Sequence, residues 1–131
     1  MNFLIIDDDT STNLTLSKII QEYNLGEIIK FSYSKFSSDG YLLDLKNIDI
    51  LIIDLPILID SKLISKFNGK IIVVSQTNDK EDIVQAYLSG AEYYIIEPIN
   101  EFEVVVIIKK VIYLIKLQKC LYNIEELLNL A

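Results

Sequence analysis

The sequence predicts an α/β fold, a (βα)5 arrangement in which five strands form one open, doubly wound parallel sheet. Two observations carry this prediction. Five short apolar runs start roughly 22 residues apart, which leaves room for a strand and a short helix. The runs are continuous rather than alternating and rich in β-branched residues, which is typical of strands buried on both faces. These runs are Phe3–Ile6, Ile28–Phe31, Ile50–Ile53, Ile71–Val74 and Tyr93–Ile96.

Helical patterns lie between the apolar runs. Thr12–Tyr23 carries apolar side chains at helical spacing. Asn78–Gly90 begins with Asn78 as its predicted N-terminal cap and ends at a glycine. Phe36–Leu45 and Leu58–Phe67 give weaker helical signals. Strands and helices therefore alternate along the chain, and the pattern predicts a single compact unit of this class.

The composition restricts the classes of function. The 131 residues carry a formal net charge of −7, so the chain is a poor candidate for binding nucleic acid through phosphates. It contains no histidine, which removes Ser–His and Cys–His catalysis and most zinc sites. Cys120 is the single cysteine, which excludes an internal disulfide and fits a reducing compartment. Neither a signal peptide nor an apolar run of bilayer-spanning length is visible, so the sequence predicts a cytoplasmic protein without membrane contact.

Acidic side chains follow two of the predicted strands. Asp7, Asp8 and Asp9 end the first apolar run, and Asp54 ends the third. In strand order 2-1-3-4-5 these two strands are neighbours, and ligands bind such sheets at the carboxyl ends of the strands. We therefore expect Asp7, Asp8 and Asp54 to converge on a hard cation such as Mg²⁺, which favours oxygen ligands. The alternative role of an acid at such a junction is to cap the next helix, and we favour that role for Asp9.

With these residues in order, the sequence resembles the response regulator receiver family of two-component signalling over about residues 2–117. FLIIDD resembles the first-strand acid pair that binds Mg²⁺, and IDILIID resembles the strand that ends in the phosphorylated aspartate, here Asp54. IIVVSQ and LSGAEYYIIEP resemble the strands that carry the hydroxyl and aromatic switch residues, here Ser75 and Tyr94. The simpler alternatives are a strand-end hydroxyl for Ser75 and ordinary packing for Tyr94.

This resemblance implies a flavodoxin-like fold and a signalling role rather than an enzymatic one. It also implies a sensor histidine kinase or another signalling protein as the partner. In the family, the backbone carbonyl two residues after the acceptor is a third protein ligand for Mg²⁺, and that position is Pro56. A proline usually stands four residues after the acceptor, so the shape of this loop departs from the family pattern.

Glu97 is the second departure from the family pattern. The family has a lysine there, which pairs with the phosphoryl group and the acceptor carboxylate. Three aspartates and one Mg²⁺ sum to −1, so a lysine would give 0 whereas Glu97 gives −2. One charge pair at ~5 Å and an effective dielectric of ~20 is worth about 3 kcal/mol. We therefore expect an atypical receiver in which phosphorylation is weak, short-lived or absent and protein contacts carry the signal. Lys62 and Lys80 are candidate substitutes for the missing lysine.

Two other functions compete with this interpretation. The first is an ordinary Mg²⁺-dependent phospho-accepting receiver in which Glu97 is tolerated. The second is a haloacid-dehalogenase-like phosphatase, because DDDTS, residues 7–11, partly matches the Asp-x-Asp-x-Thr motif of that family. Such enzymes also need a later lysine and a downstream acid pair on a larger fold, and no equivalents are clear in this sequence.

The last helix is predicted to begin after Asn100, in a capping box with Glu103, and to continue to about Leu130. One apolar stripe suits packing against the sheet: Val105, Ile108, Ile112 and Ile115. A second stripe, here called the distal stripe, has heptad spacing: Leu114, Leu117, Leu121, Ile124 and Leu128. We therefore divide the chain into a receiver-like domain, 1–117, and a helical extension, 118–131. The extension is either a dimerisation helix, which implies a possible homodimer, or an apolar tail that folds back.

Overall fold

The computed structural model describes residues 1–31, 45–60 and 67–130. Within these residues, five parallel strands form one sheet in the order β2-β1-β3-β4-β5. The strands are β1 Asn2–Ile6, β2 Glu27–Phe31, β3 Ile50–Ile53, β4 Lys70–Ser75 and β5 Ala91–Ile96. The predicted doubly wound, flavodoxin-like fold is confirmed, and every strand lies within two residues of its predicted ends.

Four helices lie in the described part of the chain: α1 Thr10–Glu22, α2 Leu55–Asp60, α3 Lys80–Leu88 and α4 Glu101–Leu130. The prediction that α2 begins at Leu58 is wrong, because the Leu58 amide already donates to the Asp54 carbonyl at 3.1 Å. Pro56 fits this early start, since a proline in the first helical turn loses no hydrogen bond. Of the predicted helix Phe36–Leu45, residues 36–44 lie outside the described residues, and Leu45 belongs to a 3₁₀ turn.

Polar side chains cap α3 and α4. The cap of α3 is Asp79, which accepts the Glu81 amide at 3.1 Å, so the prediction of Asn78 is wrong by one residue. Both residue types cap helices well, and the sequence places them side by side. Asn100 accepts the Glu103 amide at 3.0 Å, which confirms the predicted start of α4.

Two hydrophobic cores cover the two faces of the sheet. Successive residues of a strand point to opposite faces, and both sets are buried, as the continuous apolar runs predict. Helices α1 and α4 pack on one face, while α2 and α3 pack on the other. In β3, for example, Ile50 and Ile52 belong to the first core, whereas Leu51 and Ile53 belong to the second. This arrangement leaves the ends of the strands as the place where charged groups meet solvent.

Helix α4 extends beyond the sheet. Its predicted packing stripe lies in or against the first core, and Ile115 is its last buried residue. From Lys116 to Asn129 every side chain is exposed, so the described helix does not fold back on the domain. Of the distal stripe, Leu114 is half-buried and the other four side chains are exposed. Among the helices that the structure describes, none has the length and apolar character needed to cross a bilayer.

Gly90 follows the C-terminal cap of α3 with φ +107°, a conformation that side chains disfavour. Gly90→Ala is expected to lower the free energy of unfolding by about 1–3 kcal/mol, since an added Cβ strains this backbone. Urea unfolding followed by circular dichroism measures the change. Ser89→Ala, one residue earlier with φ −84°, is the control and should change stability far less. Equal effects of the two substitutions would contradict the assignment of strain to Gly90.

Candidate functional site

A cleft of about 620 Å³ lies at the carboxyl ends of β1, β3, β4 and β5. Five carboxylates line it: Asp7, Asp9, Asp54, Asp82 and Glu97. None of the described residues that line it is a lysine or an arginine. We call this feature the acid cleft, and its location is the one expected for ligand binding in this fold.

Asp7 is the most buried of these acids, with 7% of its surface exposed. Its Oδ1 atom accepts the backbone N–H of Asp9 at 2.8 Å. Burial raises the pKa of Asp7 from its ordinary value of 3.8 to about 6, and this hydrogen bond only partly opposes the rise. The charges of Asp54, Glu97 and Asp9 add to the increase. A negative charge on Asp7 is therefore costly unless a cation or a proton compensates it.

Asp54 ends β3 at the centre of the sheet edge and is half-buried. Its Oδ1 atom accepts the backbone N–H of Leu55 at 2.9 Å. Burial raises the pKa of Asp54, and this backbone hydrogen bond opposes it. The charge of Glu97 raises the pKa further, whereas a hydrogen bond with Ser75 lowers it. The predicted acceptor thus lies beside both the predicted hydroxyl switch and the residue that replaces the family lysine.

Ser75 and Tyr94 are joined through Thr77. The Tyr94 hydroxyl donates to the backbone carbonyl of Thr77 at 3.0 Å, and the Thr77 amide donates to Ser75 Oγ at 3.4 Å. The Thr77 hydroxyl donates to Asp82 Oδ2 at 3.1 Å, which ties the loop to α3. Burial raises the pKa of Tyr94, a partly buried side chain that packs against the second core. Sequence reasoning missed Thr77, although a second hydroxyl two residues after Ser75 was a usable signal.

Glu97 is held toward the acid cleft. Its backbone N–H donates to the carbonyl of Ser75 at 2.8 Å, which extends the β4–β5 pairing. Its Oε1 atom accepts the Thr12 hydroxyl at 2.7 Å, a contact between residues 85 positions apart. The Glu97–Pro98 peptide bond is cis. Thr12 was not singled out from the sequence, because nothing in the local pattern indicates which hydroxyl of α1 faces the end of β5.

The predicted metal ligands are brought together in part. Asp7, Asp54 and Pro56 line the acid cleft. Asp8 is exposed and does not line it, although its charge still raises the pKa of Asp54. In residues 1–31, 45–60 and 67–130, no three Asp, Glu, His or Cys side chains form a group that could hold a metal ion. Of the two candidate substitute lysines, Lys80 is exposed outside the cleft lining, and residue 62 lies outside the described residues.

Asp9 has the capping role that the sequence favoured. One carboxylate oxygen accepts the amides of Ser11 at 2.9 Å and Thr12 at 3.2 Å. The side-chain amide of Asn13 donates to the Asp7 carbonyl at 2.7 Å, which fixes the same turn. In the phosphatase motif Asp9 would be the second acid, but here its carboxylate is engaged by backbone donors. The local geometry therefore supports a helix start at this position.

Comparison with known proteins gives consistent similarities. No protein-family model matches the chain. Over 98% of its length the chain is 35% identical to the transcriptional regulatory protein GlnL of Bacillus subtilis, and it spans 43% of that protein. A response regulator receiver domain protein from Clostridium thermocellum is 25% identical, with a TM-score of 0.68 over 89% of this chain and 98% of that one. A two-component response regulator from Clostridium difficile has a TM-score of 0.72 at 17% identity, over 86% and 96% of the two chains.

The raised pKa of Asp7 makes stability depend on pH. The folded protein keeps a proton on Asp7 up to about pH 6, whereas the unfolded chain releases it near pH 3.8. The free energy of unfolding therefore falls as the pH rises from 3.8 to about 6. Asp7→Asn should remove the contribution of Asp7 to this decline and raise the free energy of unfolding at pH 7.5 by about 1–3 kcal/mol. Urea unfolding in EDTA from pH 4 to pH 8 measures it. Asp8→Asn, which removes an exposed charge, should give a smaller gain, and equal gains would contradict the role of burial.

Proposed function

Because the chain belongs to the response regulator receiver family of two-component signalling, we propose that its acid cleft is a receiver site altered by Glu97. Asp54 occupies the phosphoacceptor position, and its phosphorylation is weak, short-lived or absent. Contacts with other proteins then carry the signal. The observation that carries this proposal is the Thr12–Glu97 hydrogen bond of 2.7 Å, which keeps a carboxylate where the family has a lysine.

Electrostatics supports weak phosphorylation. A phosphoryl group would add negative charge to a cleft that five carboxylates already line. The charge of Glu97 acts on Asp54 and Asp7, as its effect on both pKa values indicates. At an effective dielectric of ~20, one charge pair at ~5 Å is worth about 3 kcal/mol. Replacing a positive neighbour by a negative one turns this attraction into repulsion, so the interaction energy changes by about 6 kcal/mol. Part of this energy is lost through solvent screening, because Glu97 is only partly buried.

Magnesium fits the donor set that the cleft offers. Asp7 and Asp54 provide carboxylate oxygens and Pro56 provides a backbone carbonyl, all of them the hard ligands that Mg²⁺ prefers. Mg²⁺ usually keeps several water ligands, so two carboxylates and one carbonyl are a sufficient protein contribution. Asp8 would contribute through water or after a side-chain movement. When bound, the cation would neutralise charge on Asp7 and on Asp54, the proposed acceptor.

The alternative is an ordinary Mg²⁺-dependent receiver that is phosphorylated at Asp54. The connection from Ser75 through Thr77 to Tyr94 favours this alternative, because hydrogen bonds link the two predicted switch residues through the backbone of Thr77. The two functions differ in whether Glu97 disables the chemistry or is tolerated by it.

The proposed partners are proteins. A sensor histidine kinase or another signalling protein would be the partner, and the proposed location of the protein is the cytoplasm. GlnL is described as a transcriptional regulatory protein, and the present chain spans 43% of its length. The net charge of −7 argues against nucleic-acid binding by this chain, because the negative phosphates of a nucleic acid would be repelled. Any such activity would belong to other parts of a longer protein.

We also propose that α4 mediates homodimerisation through the distal stripe. Apolar side chains with heptad spacing are exposed along the helix, with Leu121 53% and Leu128 70% exposed. The last core residue of α4 is Ile115, and every side chain from residue 118 to residue 129 is exposed, so this segment would act as an extension with its own apolar surface. Pairing with a second copy would cover this surface by coiled-coil packing. The stripe is only about two heptads long, so the association should be weak and dependent on concentration.

The phosphorylation proposal is tested by intact-mass spectrometry after incubation with Mg²⁺ and acetyl phosphate. The wild-type protein should acquire little or no phosphoryl adduct, because of the charge on Glu97. Glu97→Lys should acquire a clear adduct, since it restores the family charge. Asp54→Asn combined with Glu97→Lys should abolish it, which is the control for the site. A stable adduct on the wild type that disappears with Asp54→Asn alone would establish the ordinary receiver instead.

The dimer proposal is tested by size-exclusion chromatography with light scattering at several concentrations. Leu121→Lys with Ile124→Lys should give a folded monomer, because two charges then lie in the distal stripe. Tyr122→Lys with Asn123→Lys adds the same charge to the same segment outside the stripe and should remain dimeric. Truncation after Lys116 should also give a folded monomer. A monomeric wild type at high concentration, or an unchanged dimer after truncation, would contradict the proposal.

A further inference from the structure

We propose that Thr12 is a positioning residue: its hydroxyl holds the Glu97 carboxylate against the acid cleft and thereby keeps Asp54 a poor phosphoacceptor. This inference rests on the proposed function, since it concerns the same acceptor and the same charge. It adds a residue from α1, which contacts Glu97 from outside the lining of the acid cleft, to the groups that determine reactivity. Nothing in the family resemblance assigns a role to this position.

The geometry of Thr12 is suited to this role. The side chain is buried, with 6% of its surface exposed. Its backbone amide donates to Asp9 at 3.2 Å, so the N-terminal cap of α1 fixes the position of the residue. Threonine has few side-chain rotamers, and its hydroxyl direction is therefore restricted once the backbone is fixed. The donor to Glu97 is thus held in place before the carboxylate binds it.

Other hydroxyls on α1 show that Thr12 is used differently. Thr15 donates to the carbonyl of Ser11 at 2.9 Å, and Ser17 donates to the carbonyl of Asn13 at 2.7 Å. Both satisfy the hydroxyl within their own helix, which is the usual solution for such residues. Thr12 lies in the first turn of α1, and the residue four positions before it precedes the N-terminal cap. The helix therefore offers its hydroxyl no carbonyl at that spacing. Its hydroxyl instead reaches across to β5.

Glu97 needs such a donor in order to remain in the cleft. The carboxylates of Asp7 and Asp54 lie in the same cleft and repel it. Glutamate has a long, flexible side chain, and Glu97 is partly exposed, so turning toward solvent would relieve the repulsion. Its backbone amide bonds only to the Ser75 carbonyl and does not restrict the carboxylate. The short bond to Thr12 is the described contact that opposes this movement.

The expected consequence is a change in phosphorylation when the hydroxyl is removed. Thr12→Val keeps the shape of the side chain but cannot donate, so Glu97 should leave the cleft for part of the time. With Mg²⁺ and acetyl phosphate, the initial rate of adduct formation should rise about tenfold, the low end of what a hydrogen bond to a charged group is worth. It should stay below that of Glu97→Lys, because the missing positive charge is not restored.

Three comparisons separate positioning from a general structural effect. Thr12→Ser keeps the donor and should label at the wild-type rate. Thr15→Val removes a hydroxyl that bonds within α1 and should also label at the wild-type rate. In the Glu97→Lys background, Thr12→Val should change the rate less than about twofold, since no carboxylate remains to be released. Circular dichroism verifies folding, and Thr12→Ala replaces Thr12→Val if the valine variant does not fold.

A second readout does not depend on phosphorylation. Urea unfolding of Thr12→Val, Glu97→Met and the double variant forms a mutant cycle. A hydrogen bond between these residues predicts non-additive effects, with a coupling of about tenfold in the unfolding constant. Additive effects within about twofold would overturn the proposed bond.

The outcomes distinguish the two proposals. If Glu97→Lys is labelled while Thr12→Val and Thr12→Ala label at the wild-type rate, the role of Thr12 is overturned and the proposed function stands. If Glu97→Lys is not labelled, the account of Glu97 fails, and the role of Thr12 fails with it. A faster Thr12→Val whose effect persists in the Glu97→Lys background would also overturn positioning through Glu97. Faster labelling that vanishes in that background supports it.

Discussion

Burial of the sheet on both faces is the constraint on which the rest of this structure depends. Helices cover both sides of the central strands, so no charged group can be placed along them without losing its hydration. Within the central strands β1, β3 and β4, polar and charged residues are consequently confined to the ends. Because parallel strands share one carboxyl edge, the acids that end β1 and β3 are brought together despite their repulsion. The acid cleft is therefore a direct result of how the sheet is buried.

The repulsion among these carboxylates is partly offset by hydrogen bonds within the site. Asp7 and Asp54 each accept a backbone N–H, which stabilises their charged forms. For Asp7 and Asp54 burial outweighs this stabilisation, and their pKa values rise. Glu97 accepts a side-chain hydroxyl instead. A site of this kind retains unfavourable charge energy, which a cation, a proton or a basic group from a partner would release.

The sequence predicted the architecture well because the signal for buried parallel strands is strong. Continuous β-branched runs gave all five strands, and the acids at their ends followed from the shared edge. Helix starts were less certain, because neighbouring residues compete as caps: Asp79 was used where Asn78 was predicted. Helix α2 begins earlier than predicted because Pro56 fits a first helical turn, where its missing N–H costs no hydrogen bond.

The contacts inside the site were harder to predict. The Thr12–Glu97 bond joins residues that are 85 positions apart, and it depends on how α1 is rotated over the sheet. Residue types and spacing along the chain do not encode that rotation. The same limit explains Asp8, whose neighbour Asp7 faces inward while Asp8 is exposed. Adjacent acids at a strand end alternate in direction, so a cluster in sequence becomes a smaller cluster in space.

Because α4 projects beyond the sheet, a small tilt of the helix displaces its C-terminal end by a larger distance. The helix is anchored by the same core that holds α1, and its last buried residue is Ile115. At 1.5 Å per residue, Leu128 lies about 20 Å beyond this anchor. A tilt of about 5° at the anchor would therefore displace Leu128 by about 2 Å, which is large compared with the tolerance of side-chain packing. Small adjustments of α4 at this anchor are thus geometrically magnified at the far end of the helix.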